Sequence, residues 1–453
     1  MSNPTQRWQA QAKAHLFQPF ADNAALQQEG ARVMTGGQGC IIEDSTGRQY
    51  LDAFAGLWCV NVGYGRPELV AAAAEQMAQM PYYNLFFKTI TPPVAELAEA
   101  VTAVAPKHIN RAFFTNSGSE ANDTAFRMAR HYWALKGQPE RNIIIARHNA
   151  YHGSTIAGAS LGGMGAMHRQ GGLPIADIVH IQQPYWFGEG GAMSPEEFGL
   201  QAAQALETRI LELGPERVAA FIAEPIQGAG GVIIPPSTYW PEIQRIVREY
   251  GILLLVDEVI CGFGRTGAWF GSDTYDLSPD LMSIAKGLSS GYAPIGGVLM
   301  SDAVAEVLSQ GDFNHGFTYS GHPVSAAVAL ANLKILHDEN WVQRIQQEQG
   351  PALARQLNTL ADHPMVGEVR TQGLLGAVEL VADGKKRQRF APEGFAGNLC
   401  RDFALQEGLV LRATGDTLLF SPPFVMNEDE MVLMTDMTKR AMDRAWRQLR
   451  VEL

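Results

Sequence analysis

Between residues 111 and 300 the chain repeats one pattern: a short apolar run, a loop, then an amphipathic helix. Runs that are apolar throughout and separated by helices are typical of parallel strands covered on both faces. The pattern predicts an α/β domain, with ligands beyond the carboxyl ends of its strands. The predicted strands are 112–115, 143–146, 178–181, 219–223, 252–256, 281–285 and 296–300.

The pattern changes after Pro323, and 453 residues are too many for one small core. Long amphipathic helices are predicted at 324–338 and 342–361, followed by short strands near 374–380 and 409–412. We therefore expect a large domain over 56–322 and a smaller C-terminal α+β domain over 323–453. Residues 1–55 are expected to join the small domain.

The composition argues against several classes of protein. Lys and Arg number 35 against 47 Asp and Glu, and the net charge of −12 opposes binding to nucleic acid or an anionic membrane. The apolar runs are too short to span a bilayer and the N-terminus lacks a secretory signal, so we expect a cytoplasmic protein. The four cysteines are scattered and no His-Glu-x-x-His motif occurs, so no metal site is predicted.

Lys286 and Asp257 are the candidate catalytic pair. Lys286 follows an apolar strand and precedes small residues, where an amine can lose its proton and form a Schiff base with an aldehyde. Asp257 ends another apolar strand and can pair with the pyridinium nitrogen of the same cofactor. Each residue alone is more often an exposed surface charge. Their shared position at one sheet edge favours the catalytic interpretation.

Three further features occur at the same predicted edge. Ser117-Gly118-Ser119 begins a helix predicted at 120–136, where hydroxyls and free N–H groups suit a phosphate, although a helix cap without ligand is the alternative. Tyr151 could stack on a flat heterocycle or simply pack. Glu224 could orient polar groups or face water. The whole set suits a heterocyclic aldehyde that carries a phosphate.

These residues lie in segments that resemble a known family. The stretch 254–267, continued by 279–291, is similar to the signature of class III pyridoxal-phosphate aminotransferases. Residues 117–122, 151–153 and 315–323 resemble other blocks of that family, so the resemblance covers nearly the whole chain. Segments 55–65, 81–87 and 411–416 resemble the omega-aminotransferases that act on diamines and other amines with pyruvate as acceptor.

The resemblance implies a fold-type I enzyme that uses pyridoxal 5′-phosphate. Lys286 would hold the cofactor covalently and carry the proton, and Asp257 would pair with the ring nitrogen. Thr318 would reach the phosphate of the partner subunit, because this family builds its sites at a dimer interface. A homodimer is therefore expected, or a homotetramer of two dimers. The remaining cofactor-binding residues implied are Ser117, Gly118, Ser119, Tyr151, Glu224 and Val259.

The resemblance also implies the substrates. Arg412 would bind the carboxylate of pyruvate or of an amino acid through two parallel hydrogen bonds. Tyr151, Trp58, Phe86 and Phe87 would line an aromatic pocket, although the last three could equally be core aromatics. The implied reaction transfers an amino group from putrescine, cadaverine, spermidine or an aryl-alkyl amine to pyruvate, giving an aldehyde or ketone and alanine.

Alternatives remain open at this point, because the same fold and cofactor serve other reactions. They are an omega-amino acid transaminase of the beta-alanine type, a decarboxylase and a mutase. A cofactor-sensing regulator without turnover would need a DNA-binding module, for which no basic helix pair or spare length is visible.

Overall fold

Helices and strands alternate along the computed structural model, which describes residues 4–384 and 387–452. The strands are β1 (Met34–Gln38), β2 (Ile41–Asp44), β3 (Gln49–Asp52), β4 (Ile109–Thr115), β5 (Ile143–Arg147), β6 (Ile178–Ile181), β7 (Val218–Ala223), β8 (Leu253–Asp257), β9 (Leu281–Ile284), β10 (Gly296–Ser301), β11 (Val366–Gln372), β12 (Leu375–Leu380), β13 (Leu409–Val410), β14 (Arg412–Thr414) and β15 (Thr417–Phe420). The helices are α1 (Pro4–His15), α2 (Asn23–Glu29), α3 (Ala55–Trp58), α4 (Pro67–Gln79), α5 (Pro92–Ala103), α6 (Gly118–Leu135), α7 (Ile156–Leu161), α8 (Gly165–His168), α9 (Trp186–Glu189), α10 (Pro195–Leu213), α11 (Tyr239–Tyr250), α12 (Gly271–Thr274), α13 (Asp302–Leu308), α14 (Pro323–Asp338), α15 (Trp341–Arg344), α16 (Gly350–Asn358), α17 (Phe395–Glu407) and α18 (Glu428–Glu452).

The seven apolar runs form one sheet in the order β4-β10-β9-β8-β7-β5-β6. Pairings among β5 to β9 are parallel, and β10 is antiparallel to both of its neighbours, β4 and β9. Each predicted strand is present with its ends shifted by a few residues. The α/β fold is therefore confirmed, with one strand reversed in a largely parallel sheet.

Helices cover both faces of this sheet, as the apolar runs require. On one face, α6 buries Ala121, Ala125 and Met128 against strands that include β5 and β9. On the other face, α10 and α11 pack against β7 and β8. α6 begins at Ser117, whose Oγ accepts from the Glu120 N–H at 3.2 Å, so the helix starts right after the end of β4.

Two smaller sheets accompany the large one. One is an antiparallel sheet in the order β11-β12-β15-β14. The other has the order β1-β2-β3-β13, in which β13 runs parallel to β3. This pairing places residues 409–410 beside residues 51–52, so a C-terminal strand completes a sheet begun near the N-terminus.

The helix predicted at 342–361 is present as one continuous helical segment over 341–358. It consists of α15, a π-helical turn at 345–349 and α16. Pro351 explains the change of helix type, because proline has no N–H to donate to the carbonyl one turn earlier. Among the described residues, no helix is long and apolar enough to cross a membrane.

Arg265 connects three distant segments of the fold. The side chain is completely buried and donates to the carbonyl oxygens of Pro422 (2.6 Å) and Leu374 (3.3 Å) and to Asn61 Oδ1 (2.6 Å). Its guanidinium lies 4.7 Å from the centre of the Phe424 ring. Burial lowers the pKa of Arg265 to about 9.

Replacing Arg265 by Ala should lower the free energy of unfolding of the cofactor-free protein by about 3 kcal/mol or more, because three buried acceptors lose their donor. Arg355→Ala is the control, since Arg355 pairs with Glu428 on an exposed surface and should cost less than about 1 kcal/mol. Urea denaturation followed by circular dichroism measures both. Equal losses in the two variants would contradict the role given to Arg265.

Candidate active site

A cavity of about 160 Å³ lies at the carboxyl ends of the central strands. The segments that follow β4, β5, β7, β8 and β9 each contribute side chains to it, which is the edge where the sequence pattern placed a ligand. Its lining is formed by Leu57, Gly118, Ser119, Asn122, Tyr151, His152, Gly153, Glu224, Asp257, Val259, Ile260, Ala285 and Lys286.

Asp257 lies at the inner end of this cavity and is 3% exposed. Its Oδ2 accepts from His152 Nδ1 and from Asn122 Nδ2, each at 2.7 Å, and its Oδ1 accepts from the Val259 N–H at 3.0 Å. Burial alone would raise the pKa of Asp257, but these donors and the charge of His152 outweigh it and lower the pKa. The carboxylate is therefore kept ionised.

The partners of Asp257 are themselves buried. Asn122 also donates to the His152 carbonyl at 2.8 Å, and His152 is 1% exposed. Asn122 Oδ1 and His152 Nε2 have no hydrogen-bond partner among the described residues. Both side chains are thus oriented mainly by the groups that surround the carboxylate.

Lys286 follows β9 in a left-handed backbone conformation with φ of +44°, which is uncommon for a residue with a side chain. Burial lowers the pKa of its amine, although the charges of Asp257 and Glu224 oppose the shift. A lowered pKa increases the fraction of neutral, nucleophilic amine at physiological pH.

Glu224 is a second buried carboxylate. Its Oε1 accepts from the Tyr151 N–H at 3.2 Å and its Oε2 from the Gly228 N–H at 2.8 Å. Burial raises the pKa of Glu224, and the neighbouring Asp257 charge adds to the rise. These bonds fix the backbone of the segment that carries Tyr151 and His152.

Two glycines beside the start of α6 lie too close to neighbouring side chains to carry a side chain of their own. A Cβ at Gly118 would come within 2.9 Å of the Val259 side chain, and one at Gly153 within 2.6 Å of Ser119 Oγ. The first N–H groups of α6 are free of intrahelical acceptors and add a partial positive charge. Ser119 Oγ accepts from the Ser154 N–H at 3.1 Å. Ser117 caps the helix and lies outside the cavity lining.

Arg412 begins β14 near Tyr151 and Lys286. Burial lowers the pKa of Arg412 while Tyr151 raises it, and Arg412 in turn lowers the pKa of Lys286. Among the described residues, none forms a hydrogen bond or an ion pair with its guanidinium. It is therefore free to bind an anion. Tyr151 packs edge-on against Phe20, with ring centres 6.3 Å apart.

Six residues predicted for the site are absent from the lining of this cavity: Ser117, Arg412, Trp58, Phe86, Phe87 and Thr318. Trp58 is 2% exposed and packs on Phe54 with ring centres 4.5 Å apart. Phe86 and Phe87 are exposed, and so is Thr318, whose carbonyl oxygen accepts from Tyr82 Oη at 2.7 Å.

Sequence reasoning missed several residues that the fold brings to the site. Asn122 and His152 lie within two of the sequence motifs already noted, 117–122 and 151–153. Their polar side chains were the only feature of the sequence that could have marked them as site residues. Leu57 and Phe20 gave no such signal. Leu57 lies in the cavity wall where Trp58 had been expected, and Phe20 comes from a segment far away in the sequence.

The donor set fits pyridoxal 5′-phosphate. The ionised Asp257 suits a protonated ring nitrogen, and the Lys286 amine suits an aldehyde. The glycine-lined space at the start of α6 suits a phosphate. No group of three or more His, Cys, Asp or Glu residues that could hold a metal ion occurs in residues 4–384 and 387–452.

Comparison with known proteins gives concordant matches. The model of the family described as Aminotransferase class-III matches residues 24–442. The chain is 57% identical over 441 residues to a putrescine–pyruvate aminotransferase of Pseudomonas aeruginosa, covering 97% of this chain and 96% of the relative. It is 43% identical to gamma aminobutyrate transaminase 1 of Solanum lycopersicum, covering 92% of this chain and 83% of the relative.

Solved structures agree with these matches. The omega transaminase of Pseudomonas jessenii in complex with PMP superimposes with a TM-score of 0.96 at 40% identity, covering 99% of both chains. An (S)-enantioselective omega-transaminase of Thermomicrobium roseum superimposes with a TM-score of 0.94 at 42% identity, covering 97% of this chain and 98% of the other.

The lowered pKa of Lys286 has a direct consequence in the cofactor-free protein. Competitive acetylation at increasing pH, read by peptide mass spectrometry, should show Lys286 titrating below the ordinary lysine value of 10.5, because burial disfavours its charged form. Bound cofactor should protect this residue from the reagent. A titration midpoint at or above 10.5 would contradict the description of the site.

Proposed function

The chain belongs to the class III aminotransferase family, and on this premise we propose that it moves the amino group of a terminal amine or diamine to pyruvate. The products are an aldehyde or ketone and alanine. The support is the 57% identity, over nearly the full length of both chains, to an enzyme named for putrescine and pyruvate. The unpaired guanidinium of Arg412 beside Lys286 is the structural observation that fits a carboxylate-bearing acceptor.

The protein is a pyridoxal 5′-phosphate enzyme, as the members of this family are. When bound, this cofactor supplies an electron sink that acidifies the carbon next to the donor nitrogen and accepts the amino group. In our proposal the first N–H groups of α6, with Gly118 and Ser119, bind the phosphate. Val259 and Tyr151 cover the two faces of the ring.

Asp257 and Lys286 have different roles in this proposal. Asp257 presents a fixed negative charge to the ring nitrogen and keeps that nitrogen protonated, and His152 and Asn122 keep Asp257 ionised. Lys286 would hold the aldehyde in the resting enzyme, and once the donor amine has displaced it, the freed neutral amine of Lys286 would take the proton from the donor carbon and return it during amino transfer. The burial of the Asp257 side chain strengthens its electrostatic contacts.

Arg412 selects the acceptor. Its two terminal nitrogens can bind both oxygens of the pyruvate carboxylate in parallel. Amine donors of the proposed class carry no such carboxylate, so the guanidinium turns toward other partners or solvent when a donor binds. The reported relatives are transaminases, which favours amino transfer over decarboxylation or a mutase reaction.

Self-association completes the proposal. Segments 82–87 and 316–319 expose an aromatic face, with the Tyr82 and Tyr319 ring centres 5.7 Å apart. We assign this face to a second copy of the chain, which would bring Thr318, Phe86 and Phe87 to the partner's cavity. A contiguous exposed apolar face is unusual on a monomer.

The proposed reaction is tested by incubating the loaded enzyme with putrescine, cadaverine, spermidine or 1-phenylethylamine and pyruvate, and by measuring alanine. Lys286→Ala should reduce alanine formation by at least about a thousandfold, because it removes both the cofactor attachment and the proton carrier. Lys334→Ala, at an exposed lysine of α14, is the control and should be near wild type. No alanine from any donor with the wild type would refute the proposal.

Arg412→Met should raise KM for pyruvate by about 10- to 100-fold through the loss of charged hydrogen bonds. Benzaldehyde, an acceptor without a carboxylate, is the internal control and should keep its KM within about threefold, because it has nothing for the guanidinium to bind. Steady-state kinetics with both acceptors measures the difference. The same change in KM for both acceptors would count against a carboxylate-binding role.

A further inference from the structure

The loop that follows β3 includes the short segment α3 (Ala55–Trp58), whose backbone is largely non-helical. Ala55, Gly56 and Trp58 have φ of +46°, +67° and +64°, so three of four successive residues are in conformations with positive φ. Such conformations are unfavourable for Ala and Trp and persist only where the surroundings hold them. Gly56, with ψ of −85°, adopts a conformation that glycine tolerates best.

Asp52 is the group that holds this loop. Its side chain is completely buried at the end of β3. Oδ1 accepts from the Phe54 N–H at 2.9 Å, and Oδ2 accepts from the Gly56 N–H and from Tyr64 Oη, each at 2.7 Å. One carboxylate thus binds two backbone groups of the loop and is itself held by the Tyr64 hydroxyl.

The loop and Arg412 come from the same place in the fold. Because β3 and β13 are parallel, both strands end at one edge, where β3 leads into the loop and β13 leads to Arg412. The Ala53 N–H donates to the Val410 carbonyl at 2.9 Å, and this hydrogen bond joins the two chain segments where they leave the sheet. Any movement of the loop therefore takes place next to Arg412, the residue proposed to bind the acceptor.

The backbone conformation sends neighbouring side chains to different surroundings. Leu57 lines the cavity and remains 56% exposed, whereas Trp58 is buried among apolar residues that include Phe54 and Ile260. Ile260 also lines the cavity. Leu57 therefore forms part of the cavity wall, and the position of its side chain depends on the backbone conformation of the loop.

We propose that Asp52 and Tyr64 are positioning residues that hold Leu57 in the cavity wall and thereby limit the bulk of the amine donor. This inference rests on the proposed function, since it concerns the choice among amine donors. Neither residue lines the cavity in the chain described, so both act through the loop backbone. Loosening the loop lets the wall move outward, which helps a bulky donor more than a linear one.

Tyr64→Phe tests the inference by removing one hydroxyl and keeping the ring. The measured quantity is the kcat/KM for 1-phenylethylamine divided by that for putrescine, both with pyruvate. We expect this ratio to rise by about fivefold or more, mainly through KM, because pocket contacts set such discrimination. Gly56→Ala should move the ratio in the same direction, since its Cβ would lie 3.2 Å from Tyr64 Oη at a positive φ.

Tyr50→Phe is the matched control. Tyr50 Oη donates to Asp44 Oδ2 at 2.7 Å, so this is also a tyrosine–aspartate pair with its carboxylate in the same sheet, but Asp44 does not bind the loop. A merely structural role for Tyr64 would lower stability in both Tyr→Phe variants and leave the donor ratio unchanged. We expect the ratio of Tyr50→Phe to stay within about twofold of wild type.

The two hypotheses fail in different ways. Wild-type enzyme that makes no alanine with either donor would refute the proposed function. Wild-type enzyme that turns over both donors, together with an unchanged ratio in Tyr64→Phe and Gly56→Ala, would overturn the positioning role alone. Competitive acetylation of Lys286 should match wild type in all three variants, which separates an effect on the donor wall from an effect on the lysine.

Discussion

One buried negative charge organises this active site. Asp257 ends a central strand and would favour its neutral form by burial alone, yet His152, Asn122 and the Val259 amide hold it ionised. The same charge acts on the Lys286 amine nearby, where it opposes the effect of burial. The charge of the acidic group therefore acts on the pKa of the basic group in the cavity that both of them line. The buried carboxylate needs hydrogen-bond donors around it, which explains why polar residues lie in an otherwise apolar core.

The sheet architecture determines which groups can meet. Parallel strands end at one edge, so residues separated by more than a hundred positions, such as Gly118 and Lys286, line one cavity. The sheet β1-β2-β3-β13 shows the same arrangement with two strands. Because β3 and β13 are parallel, they end at the same edge, where β3 is followed by the loop that contains Leu57 and β13 is followed by Arg412. In our proposal, two sets of parallel strand ends thus supply the cofactor-binding and the substrate-binding groups.

The sequence predicted the central sheet well because its strands are apolar on both faces, and that pattern is local. Asp257 and Lys286 followed from the same pattern, since each stands where a strand ends. The strands β1, β2, β3, β11 and β15 were not predicted, because they are short or partly polar and pair with partners that local periodicity cannot reveal. Trp58 and Leu57 show most clearly what sequence periodicity cannot predict. Gly56 and Trp58, on either side of Leu57, have positive φ values, so the side chains do not follow a regular helix or strand pattern. The sequence pattern therefore does not indicate which of the two residues faces the cavity. The roles of His152 and Asn122 depend on contacts across three separate segments.

The most direct test of this account is the site of covalent attachment of the cofactor. Holoenzyme reduced with borohydride, digested and mapped by mass spectrometry should carry the pyridoxyl adduct on the peptide that contains Lys286, while Asp257→Asn protein treated in the same way should still carry it there. An adduct on a different lysine, or none in a cofactor-saturated sample, would contradict the central claim that this amine and the buried carboxylate form one catalytic site.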